Sequence, residues 1–203
     1  MMISLIIPAY NEEKTIGTIV KKAKRYVDEV IVVDDGSHDK TYEIALKYGA
    51  KVIRHNRNMG YIQALRTGFK ASSGDIIVTM DADGQHNPED IPRLLHPLLR
   101  GNADLVLGVR DKLTLSEKII TLLTNFRVKI SDASTGFRAL KREIALKMKI
   151  KGLCTCGTFV LEAMKLGAKV SEVKINVNPR KHGRSRVKKR HIIQILIVLK
   201  ELL

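Results

Sequence analysis

The sequence predicts one α/β domain built on a doubly wound sheet with helices on its faces. Its 203 residues are 44% hydrophobic, which is enough chain for one sizeable core and too little for two. Short β-branched runs alternate with helical patterns over short connections, the arrangement typical of a parallel sheet. The predicted strands of this part lie at 3–7, 30–33, 52–53, 76–80 and 105–107.

The helical patterns fall between these strands. Asn87 and Pro88 mark one helix start, because Asn caps the orphan N–H groups and Pro suits a first turn. The regular alternation ends near Arg110, beyond which we predict a loop at 131–138 and a strand at 169–177. The predicted helices lie at 14–26, 41–48, 61–71, 90–100, 116–126, 141–149 and 158–166.

The charge balance predicts an anionic partner. Lys and Arg number 36 against 21 Asp and Glu, a formal net charge of +15, which suits nucleic acid, an anionic membrane or phosphate-rich ligands. A non-catalytic nucleic-acid-binding module is the competing class. Aromatic residues make up only 4% of the chain, which is poor for stacking bases, so we expect no nucleic-acid partner.

A basic stretch at 180–190 precedes an apolar segment at 192–203. This combination is typical of a helix at a membrane surface, although burial in the core or in an oligomer is an alternative. No run of 18 apolar residues occurs, so the sequence predicts no transmembrane helix. The apolar ending fits a natural terminus, or a membrane domain that is separate or truncated.

The two cysteines, Cys154 and Cys156, are one residue apart. This spacing is not a disulfide framework and fits a reducing compartment. A lone C-x-C pair with no companion pair elsewhere is weak ground for a metal site.

Polar clusters follow four of the predicted strands, at 8–13, 34–37, 81–85 and 108–110. Ligands of open α/β sheets bind beyond the carboxyl ends of the strands. If the strands share one direction, all four clusters meet at one edge and form one shared site.

The cluster after the fourth strand contains Asp81, Asp83 and Gln85. An ordinary Asp-Gly turn explains it, but two carboxylates around a small residue also suit Mg²⁺ or Mn²⁺, with Gln85 adding a neutral oxygen. A metal there would neutralise a diphosphate leaving group.

Two further segments have a structural and a functional interpretation. Asp34 and Asp35 precede a helix that Ser37 or Asp39 could cap, and a carboxylate here could also bind a nucleobase or ribose. The loop at 131–138 is either a connecting loop without a ligand or a phosphate pocket. In the second case hydroxyls, backbone N–H groups and Arg138 would bind the phosphate. No Gly-rich dinucleotide or P-loop motif occurs in the first half.

Together these segments resemble family 2 inverting glycosyltransferases of GT-A fold, in particular the dolichol-phosphate mannose synthase-like group. The fold implied is a Rossmann-like, mixed but mostly parallel sheet with a C-terminal amphipathic or apolar helix. The segments that carry the resemblance are IPAYNE at 7–12, VVDDGS at 32–37, N-x-G at 58–60 with ALR-x-GF at 64–69, DADGQH at 81–86, STGFR at 134–138 and R-x-x-G-x-SR at 180–186.

The resemblance implies roles for individual residues. Asp83, Arg110 and Arg186 would be catalytic, and Asp81, Asp83 and Gln85 would hold Mg²⁺ or Mn²⁺. Arg110 would face the acceptor or donor phosphate, and Ser134 and Arg138 of the loop at 131–138 are the other candidates for binding the acceptor phosphate. The nucleotide sugar would contact Pro8, Tyr10, Glu12, Val33, Asp35, Asp81, Ala82, Arg180 and Arg186.

The sequence departs from the family pattern at two of these segments. Arg186 stands where Lys is usual, and Val109 stands where Ser is usual before Arg110. The absence of Trp excludes the Q-x-x-R-W signature of polysaccharide-forming relatives, which disfavours processive polymer synthesis.

The expected activity is metal-dependent, inverting transfer of a hexose from a nucleotide sugar to a polyprenyl phosphate. Mannose from GDP-mannose is the first choice and glucose from UDP-glucose the second. A lipid phosphate is already anionic, so it attacks without a general base. The alternative acceptor is a hydroxyl in glycan or cell-envelope assembly. A hydroxyl needs a general base, and Glu162 is the candidate. A sugar nucleotidyltransferase is a nearer alternative, but it would need a Gly-rich loop with Lys or Arg after the first strand. The residues in that place, 8–11, are Pro-Ala-Tyr-Asn.

The resemblance also divides the chain by function and places it in the cell. Residues 1–110 would bind the nucleotide sugar, 111–187 the acceptor, and 188–203 would form a basic and apolar helix next to the membrane. The expected location is cytoplasmic, peripheral at the cytoplasmic face of the membrane.

Overall fold

The computed structural model describes residues 1–179 and 190–202, apart from the side chain of Arg190. Its centre is a seven-stranded sheet in the order β3-β2-β1-β4-β6-β5-β7, in which β6 runs antiparallel to β4 and β5 and the other neighbouring strands are parallel. The strands are β1 Ile3–Ala9, β2 Glu29–Asp34, β3 Lys51–Arg54, β4 Ile76–Thr79, β5 Leu105–Val109, β6 Arg138–Lys141 and β7 Val170–Lys174.

Helices cover both faces of the sheet, so the central strands are apolar on both sides. One core lies under α3, α5, α6, α7 and α8, and the other lies under α1, α2 and α4. The helices are α1 Ile16–Ala23, α2 Thr41–Lys47, α3 Tyr61–Ala71, α4 Ile91–Leu99, α5 Leu115–Thr124, α6 Arg142–Lys147, α7 Thr158–Lys165 and α8 Arg190–Leu202, with a 3₁₀ turn at Pro88–Asp90 before α4.

The mixed, mostly parallel sheet confirms the predicted fold class. Asn87 also accepts a hydrogen bond from the backbone N–H of Glu89, as predicted for this helix start. At the start of α2 the carboxylate of Asp39 accepts from the Thr41 N–H, whereas the Ser37 hydroxyl accepts from the Asn11 N–H instead.

The predictions of a loop at 131–138 and a helix at 141–149 missed a strand between them. This strand, β6, begins at Arg138 and ends at Lys141. Four residues with a charge at each end lack the apolar run of a buried strand. Arg138 nevertheless pairs with Thr79 of β4 and Leu107 of β5, and its side chain is completely buried. Helix α6 therefore begins one residue later than predicted and is shorter.

Helix α8 has an unusual distribution of polar and apolar residues. Its buried positions include His191, Gln194 and Val198. Four of its apolar side chains are exposed, namely Ile192, Ile193, Leu196 and Leu199. No helix among residues 1–179 and 190–202 is long and apolar enough to cross a membrane.

Candidate active site

The topology brings the predicted site residues to one edge of the sheet. Strands β1, β2 and β4 are parallel and end there, while antiparallel β6 starts there. Asp81 and Asp83 follow β4, and Arg138 opens β6. The reversed direction of β6 thus brings Arg138, which pairs with Thr79, to the same edge of the sheet as the two carboxylates.

The loops after β1 and β2 are joined by hydrogen bonds. Pro8 lies opposite Val33 in the sheet, and the Asp35 N–H donates to the Ala9 carbonyl at 2.8 Å. Asn11 adopts a φ of 56°, and its Oδ1 accepts from the His38 N–H at 2.9 Å. These bonds bring together the predicted nucleoside-binding positions of both loops.

The side chains of Tyr10 and Glu12 lie on the same two loops. The Tyr10 ring meets His38 edge-on, with ring centroids 6.4 Å apart. The Glu12 N–H donates to the Thr41 hydroxyl at 2.8 Å. Both side chains are half-buried, so a ligand at this edge can reach them.

Asp35 is buried and held by three donors. Its Oδ1 accepts from His55 Nδ1 at 2.7 Å and from the Met59 N–H at 2.9 Å, and its Oδ2 accepts from the Gly60 N–H at 2.8 Å. A cavity of about 380 Å³ adjoins it, lined by Arg54, His55, Asn56, Arg57 and Met59. Asp35 therefore has a fixed orientation next to a cleft that contains two arginines.

Asp81 receives a hydrogen bond from a tyrosine that the sequence did not single out. The Tyr61 hydroxyl donates to Asp81 Oδ1 at 3.0 Å. Burial, and next the negative charge of Asp81, raises the pKa of Tyr61 well above its ordinary value. Tyr61 consequently stays protonated and keeps donating to the carboxylate.

The backbone on either side of Asp81 is closely packed. The Thr15 hydroxyl donates to the Ala82 carbonyl at 2.7 Å, which ties the turn to the start of α1. A Cβ on Gly136 would lie 2.2 Å from Asp81 Oδ2, so a larger residue here would force this carboxylate to move. Asp83 is buried, and its Oδ1 accepts from the Gln85 N–H at 3.0 Å.

These residues fit a hard divalent cation. Among the described residues no lysine or arginine forms an ion pair with Asp81, although its carboxylate is half-buried. An anionic oxygen without a cation partner next to a second carboxylate is what Mg²⁺ or Mn²⁺ requires. Gln85 lies in the same turn and is half-buried, so it is available as a third oxygen donor.

His86 lies directly behind this turn. Its ring stacks on Phe137 with centroids 5.2 Å apart, and its Nδ1 is buried without a hydrogen-bond partner among the described residues. Burial lowers the pKa of His86, although the charges of Asp81 and Asp83 oppose that shift.

Arg110 is bound to two carboxylates. Its Nε and Nη2 donate to Asp132 at 2.6 and 3.0 Å, and its Nη1 lies 3.0 Å from Glu117. Burial acts to lower the pKa of Arg110, but the bonds to Asp132 and Glu117 outweigh it and raise the pKa. An acceptor phosphate at Arg110 would therefore have to share or displace these partners.

Ser134 and Arg138 carry donors that lack partners in the described part of the chain. The Ser134 hydroxyl is buried and unbonded, while the Ser134 N–H donates to Asp132 at 2.9 Å. Arg138 stacks over the Phe159 ring at 4.2 Å and donates from Nη2 to the Thr155 hydroxyl at 2.9 Å. Its Nε and Nη1 have no acceptor among residues 1–179 and 190–202. Because Arg138 is completely buried, a phosphate reaches it only if neighbouring side chains move.

The predicted site residues that the structure describes all lie at one edge of the sheet, whereas Arg180 and Arg186 lie outside the described residues. Sequence reasoning missed Thr15, His55, Tyr61 and Asp132, which hold the predicted residues in place. Only Asp132 lies in a segment that the sequence analysis singled out, the loop at 131–138. No sequence pattern marks the other three, because their proximity to Asp35 and Asp81 exists only in the folded chain.

Comparison with known proteins decides the family. The family model described as Glycosyl transferase family 2 matches residues 4–165, well over half of the chain. The chain belongs to glycosyl transferase family 2. It is an enzyme, a glycosyltransferase of GT-A fold, as the sequence predicted.

Two relatives of this family 2 glycosyltransferase illustrate the likeness. The chain is 32% identical to the UDP-N-acetylglucosamine–dolichyl-phosphate N-acetylglucosaminyltransferase of Methanococcus voltae, over 86% of this chain and 84% of that protein. It is 32% identical to the dolichol-phosphate mannosyltransferase of Pyrococcus furiosus, over 97% of this chain but only 62% of that protein.

A solved structure is similar over nearly the whole chain. Glucosyl-3-phosphoglycerate synthase from Mycobacterium tuberculosis, in complex with Mn²⁺, UDP-glucose and phosphoglyceric acid, aligns with a TM-score of 0.82 and 27% identity. The alignment covers 98% of this chain and 78% of that chain.

Proposed function

We propose that this glycosyltransferase moves a hexose from a nucleoside-diphosphate sugar to a polyprenyl phosphate, with inversion at the sugar carbon. The observation that carries the proposal is the pairing of β4 with antiparallel β6. It brings Asp81 and Asp83 to the same edge of the sheet as Arg138 and Ser134, whose buried donors lack partners among the described residues and suit an anion. The names of both curated relatives include a dolichyl lipid, and the two relatives support the same acceptor class.

The nucleoside would lie over the ends of β1 and β2. Pro8 and Val33 would form the floor, Tyr10 and Glu12 the sides, and Asp35 would face the base or ribose. Bonds from His55, Met59 and Gly60 hold Asp35 in place, so it needs little reorganisation when the ligand binds. GDP-mannose is our first choice of donor and UDP-glucose the second.

Asp81, Asp83 and Gln85 would hold Mg²⁺ or Mn²⁺, which supplies positive charge to the departing nucleoside diphosphate. Mn²⁺ and UDP-glucose in the mycobacterial structure support this assignment. Ala82 would lie against the ribose, with its carbonyl fixed by Thr15. Arg180 and Arg186 would contact the diphosphate from the C-terminal side.

The acceptor phosphate would lie on the β6 side of this centre. A phosphate is already anionic at neutral pH, so it needs no general base, and the protein must instead offset the repulsion between two phosphates. Arg138, Ser134 and Arg110 would do this, and Asp132 joins them because it accepts from both Arg110 and the Ser134 N–H.

A specific observation keeps a hydroxyl acceptor as a second candidate. The mycobacterial structure holds phosphoglyceric acid, which has a hydroxyl and no lipid. In this protein Glu162, the sequence's candidate base, accepts from the Lys149 N–H at 3.0 Å on α7. A hydroxyl acceptor would have to reach the other carboxylate oxygen of Glu162, or Glu162 would have to leave that bond.

The membrane would meet the face that α5 and α8 form, which we call the apolar face. Its exposed apolar side chains lie next to a basic stretch of sequence, and an overall charge of +15 favours an anionic lipid surface. On this proposal the enzyme would be a peripheral protein at the cytoplasmic face of a membrane, and a membrane domain would be separate or truncated. The face comprises Leu115, Ile119, Leu122, Phe126, Ile192, Ile193, Leu196 and Leu199.

Thermal unfolding with a panel of GDP- and UDP-sugars, each with and without Mn²⁺, tests the donor and metal assignments together. A ligand that binds only the folded state raises the unfolding temperature. We expect stabilisation by one nucleotide only when Mn²⁺ is present, and none in Asp83→Ala. Stabilisation that persists in chelator, or in Asp83→Ala, would refute the metal assignment.

A further inference from the structure

A second group of metal-binding side chains lies apart from the two aspartates. The thiols of Cys154 and Cys156 and the imidazole of His191 have ligand atoms that all lie within 4.8 Å of one another. All three residues are at most 9% exposed, and the cysteines are not joined in a disulfide. The two cysteines precede α7, while His191 comes from the first turn of α8.

We infer that Cys154, Cys156 and His191 form a zinc site that fastens α8 to the body of the enzyme. Sulfur and imidazole ligands suit Zn²⁺, whereas the oxygens of Asp81 and Asp83 suit Mg²⁺ or Mn²⁺. The inference goes beyond the proposed sugar transfer and does not depend on it.

The distances already approach those of a zinc centre. Zn–S bonds of about 2.3 Å and Zn–N bonds of about 2.0 Å in a tetrahedron place neighbouring ligand atoms roughly 3.5 Å apart. Cys156 Sγ lies 3.6 Å from His191 Nε2. Three protein ligands leave a fourth tetrahedral position for water or another donor.

The imidazole is held in the orientation that a zinc ligand needs. His191 Nδ1 lies 2.7 Å from the Ser116 hydroxyl of α5, so that a proton on Nδ1 leaves the Nε2 lone pair directed toward Cys156. Metal-bound histidines usually donate their other ring N–H to such a partner, which fixes the tautomer.

The cysteine loop is also fixed before any metal binds. Gln194, one turn after His191, is completely buried, and its Oε1 accepts from the Leu153 and Cys154 N–H groups at 3.1 and 3.3 Å. Its Nε2 donates to the Cys156 carbonyl at 2.9 Å. Helix α8 thus presents two side chains on one face to a preformed loop.

Zinc binding would release the thiol protons to solvent. The hydrogen bond with Cys154, and next burial, raises the pKa of the Cys156 thiol, which favours its protonated form when no metal is bound. A bound metal ion supplies the charge that makes the thiolates stable in this buried place.

The site would join two parts of the enzyme. Thr155, between the two cysteines, accepts from Arg138, and α8 carries part of the apolar face. Zinc would therefore hold Arg138 and the apolar face in a fixed relation to each other.

Cobalt titration of the full chain tests the inference. Protein freed of metal by a chelator and dialysis is titrated with Co²⁺ under reducing conditions, in excess Mg²⁺ that occupies the carboxylates. We expect a thiolate-to-Co²⁺ charge-transfer band that saturates at about one equivalent and disappears when Zn²⁺ is added. Co²⁺ binding without that band would overturn the inference.

Substitutions distinguish the proposed zinc ligands from Ser116, which orients the His191 ring. Cys156→Ser should abolish the band, and Ser116→Ala should weaken Zn²⁺ binding roughly 10–100-fold. His96→Asn, at an exposed histidine of α4, should leave the affinity unchanged. An affinity for Zn²⁺ that is equal in wild type and Cys156→Ser would also overturn the inference.

A second measurement uses only the wild-type protein, so it tests the site even if Cys156→Ser fails to fold. The chain contains two cysteines, so the count of alkylated thiols reports on this site alone. Zn²⁺ should slow alkylation of both thiols and Mg²⁺ should not. Equal rates with either metal would contradict a zinc site.

Discussion

The Tyr61 hydroxyl donates a 3.0 Å hydrogen bond to Asp81, one of the two carboxylates after β4. Tyr61 opens α3, a helix that packs on β1 and β2, so this bond connects the carboxylate to the core. Asp81 is held by a neutral donor, and its negative charge is left for a cation.

Tyr61→Phe should therefore weaken metal use without unfolding the protein. The ring stays, but Asp81 loses its donor, and loss of such outer partners costs about 10–100-fold in metal affinity or activity. Transfer rates measured against Mn²⁺ concentration should show a higher half-saturating concentration. Tyr48→Phe, at a tyrosine that is 40% exposed, is the matched control. An unchanged Mn²⁺ dependence in Tyr61→Phe would show that the bond does not support the metal.

Gly136→Ala should displace the Asp81 carboxylate, because the added methyl would lie 2.2 Å from Oδ2. A misplacement of about 1 Å can lower turnover roughly 100-fold, which steady-state kinetics would detect. The control is Gly167→Ala, whose methyl meets nothing within 4 Å but whose φ of +81° makes alanine strained. It should lose roughly 1–2 kcal/mol of stability and keep its turnover. Equal losses of turnover in both variants would attribute the effect to general destabilisation.

The apolar face should carry membrane binding. Leu122 and Phe126 are 65% and 77% exposed, and each side chain is worth about 1.5–3 kcal/mol when fully buried. Leu122→Ser and Phe126→Ser should each weaken binding to vesicles containing anionic lipid roughly tenfold, as measured by co-sedimentation. Leu99→Ser, at a position 54% exposed on the opposite side of the sheet, should bind as wild type does. Equal weakening by Leu99→Ser would refute a specific membrane face.

Asp104 should stabilise the sheet in a pH-dependent way. Its bond to Lys141, and next the Lys169 N–H, lowers the pKa of Asp104 below its ordinary 3.8. Its stabilisation is therefore complete above the ordinary pKa and is lost as pH falls through the lowered value. Urea unfolding should show Asp104→Asn less stable than wild type at neutral pH, with the difference shrinking below about pH 4.

The matched control for this pH effect is Asp111→Asn, at an exposed aspartate. It should unfold like wild type across the same range. A deficit of Asp104→Asn that stays constant into acid would mean that lost packing, and not the ion pair, causes it.

The sequence predicted most of the fold, because buried parallel strands and amphipathic helices have distinct periods. It missed β6, because Arg138 and Lys141 at its ends hide a four-residue strand whose place depends on pairing with β4 and β5. It predicted Asp35, Asp81 and Asp83 from motifs. Tyr61 and His55 could not be found in this way, because their bonds to those aspartates span 20 residues and exist only in the folded chain.

The same limit applies to the two cysteines. C-x-C has no companion nearby in the sequence, and His191 joins it only when α8 packs on α5 and α7. Sequence spacing identifies a metal site when its ligands come from one segment. Here the helix contacts bring the third ligand, which no local pattern predicts.

The most direct test of the proposed function is transfer of a radiolabelled sugar to a polyprenyl phosphate. The purified enzyme is incubated with labelled GDP-mannose or UDP-glucose, the lipid phosphate and Mn²⁺, and label in the organic phase is counted. We predict a lipid-linked sugar that forms with one donor, requires the metal and is absent with Asp83→Ala. Lipid-linked label that persists in chelator and in Asp83→Ala, or transfer to a hydroxyl acceptor with none to the lipid phosphate, would contradict the proposal.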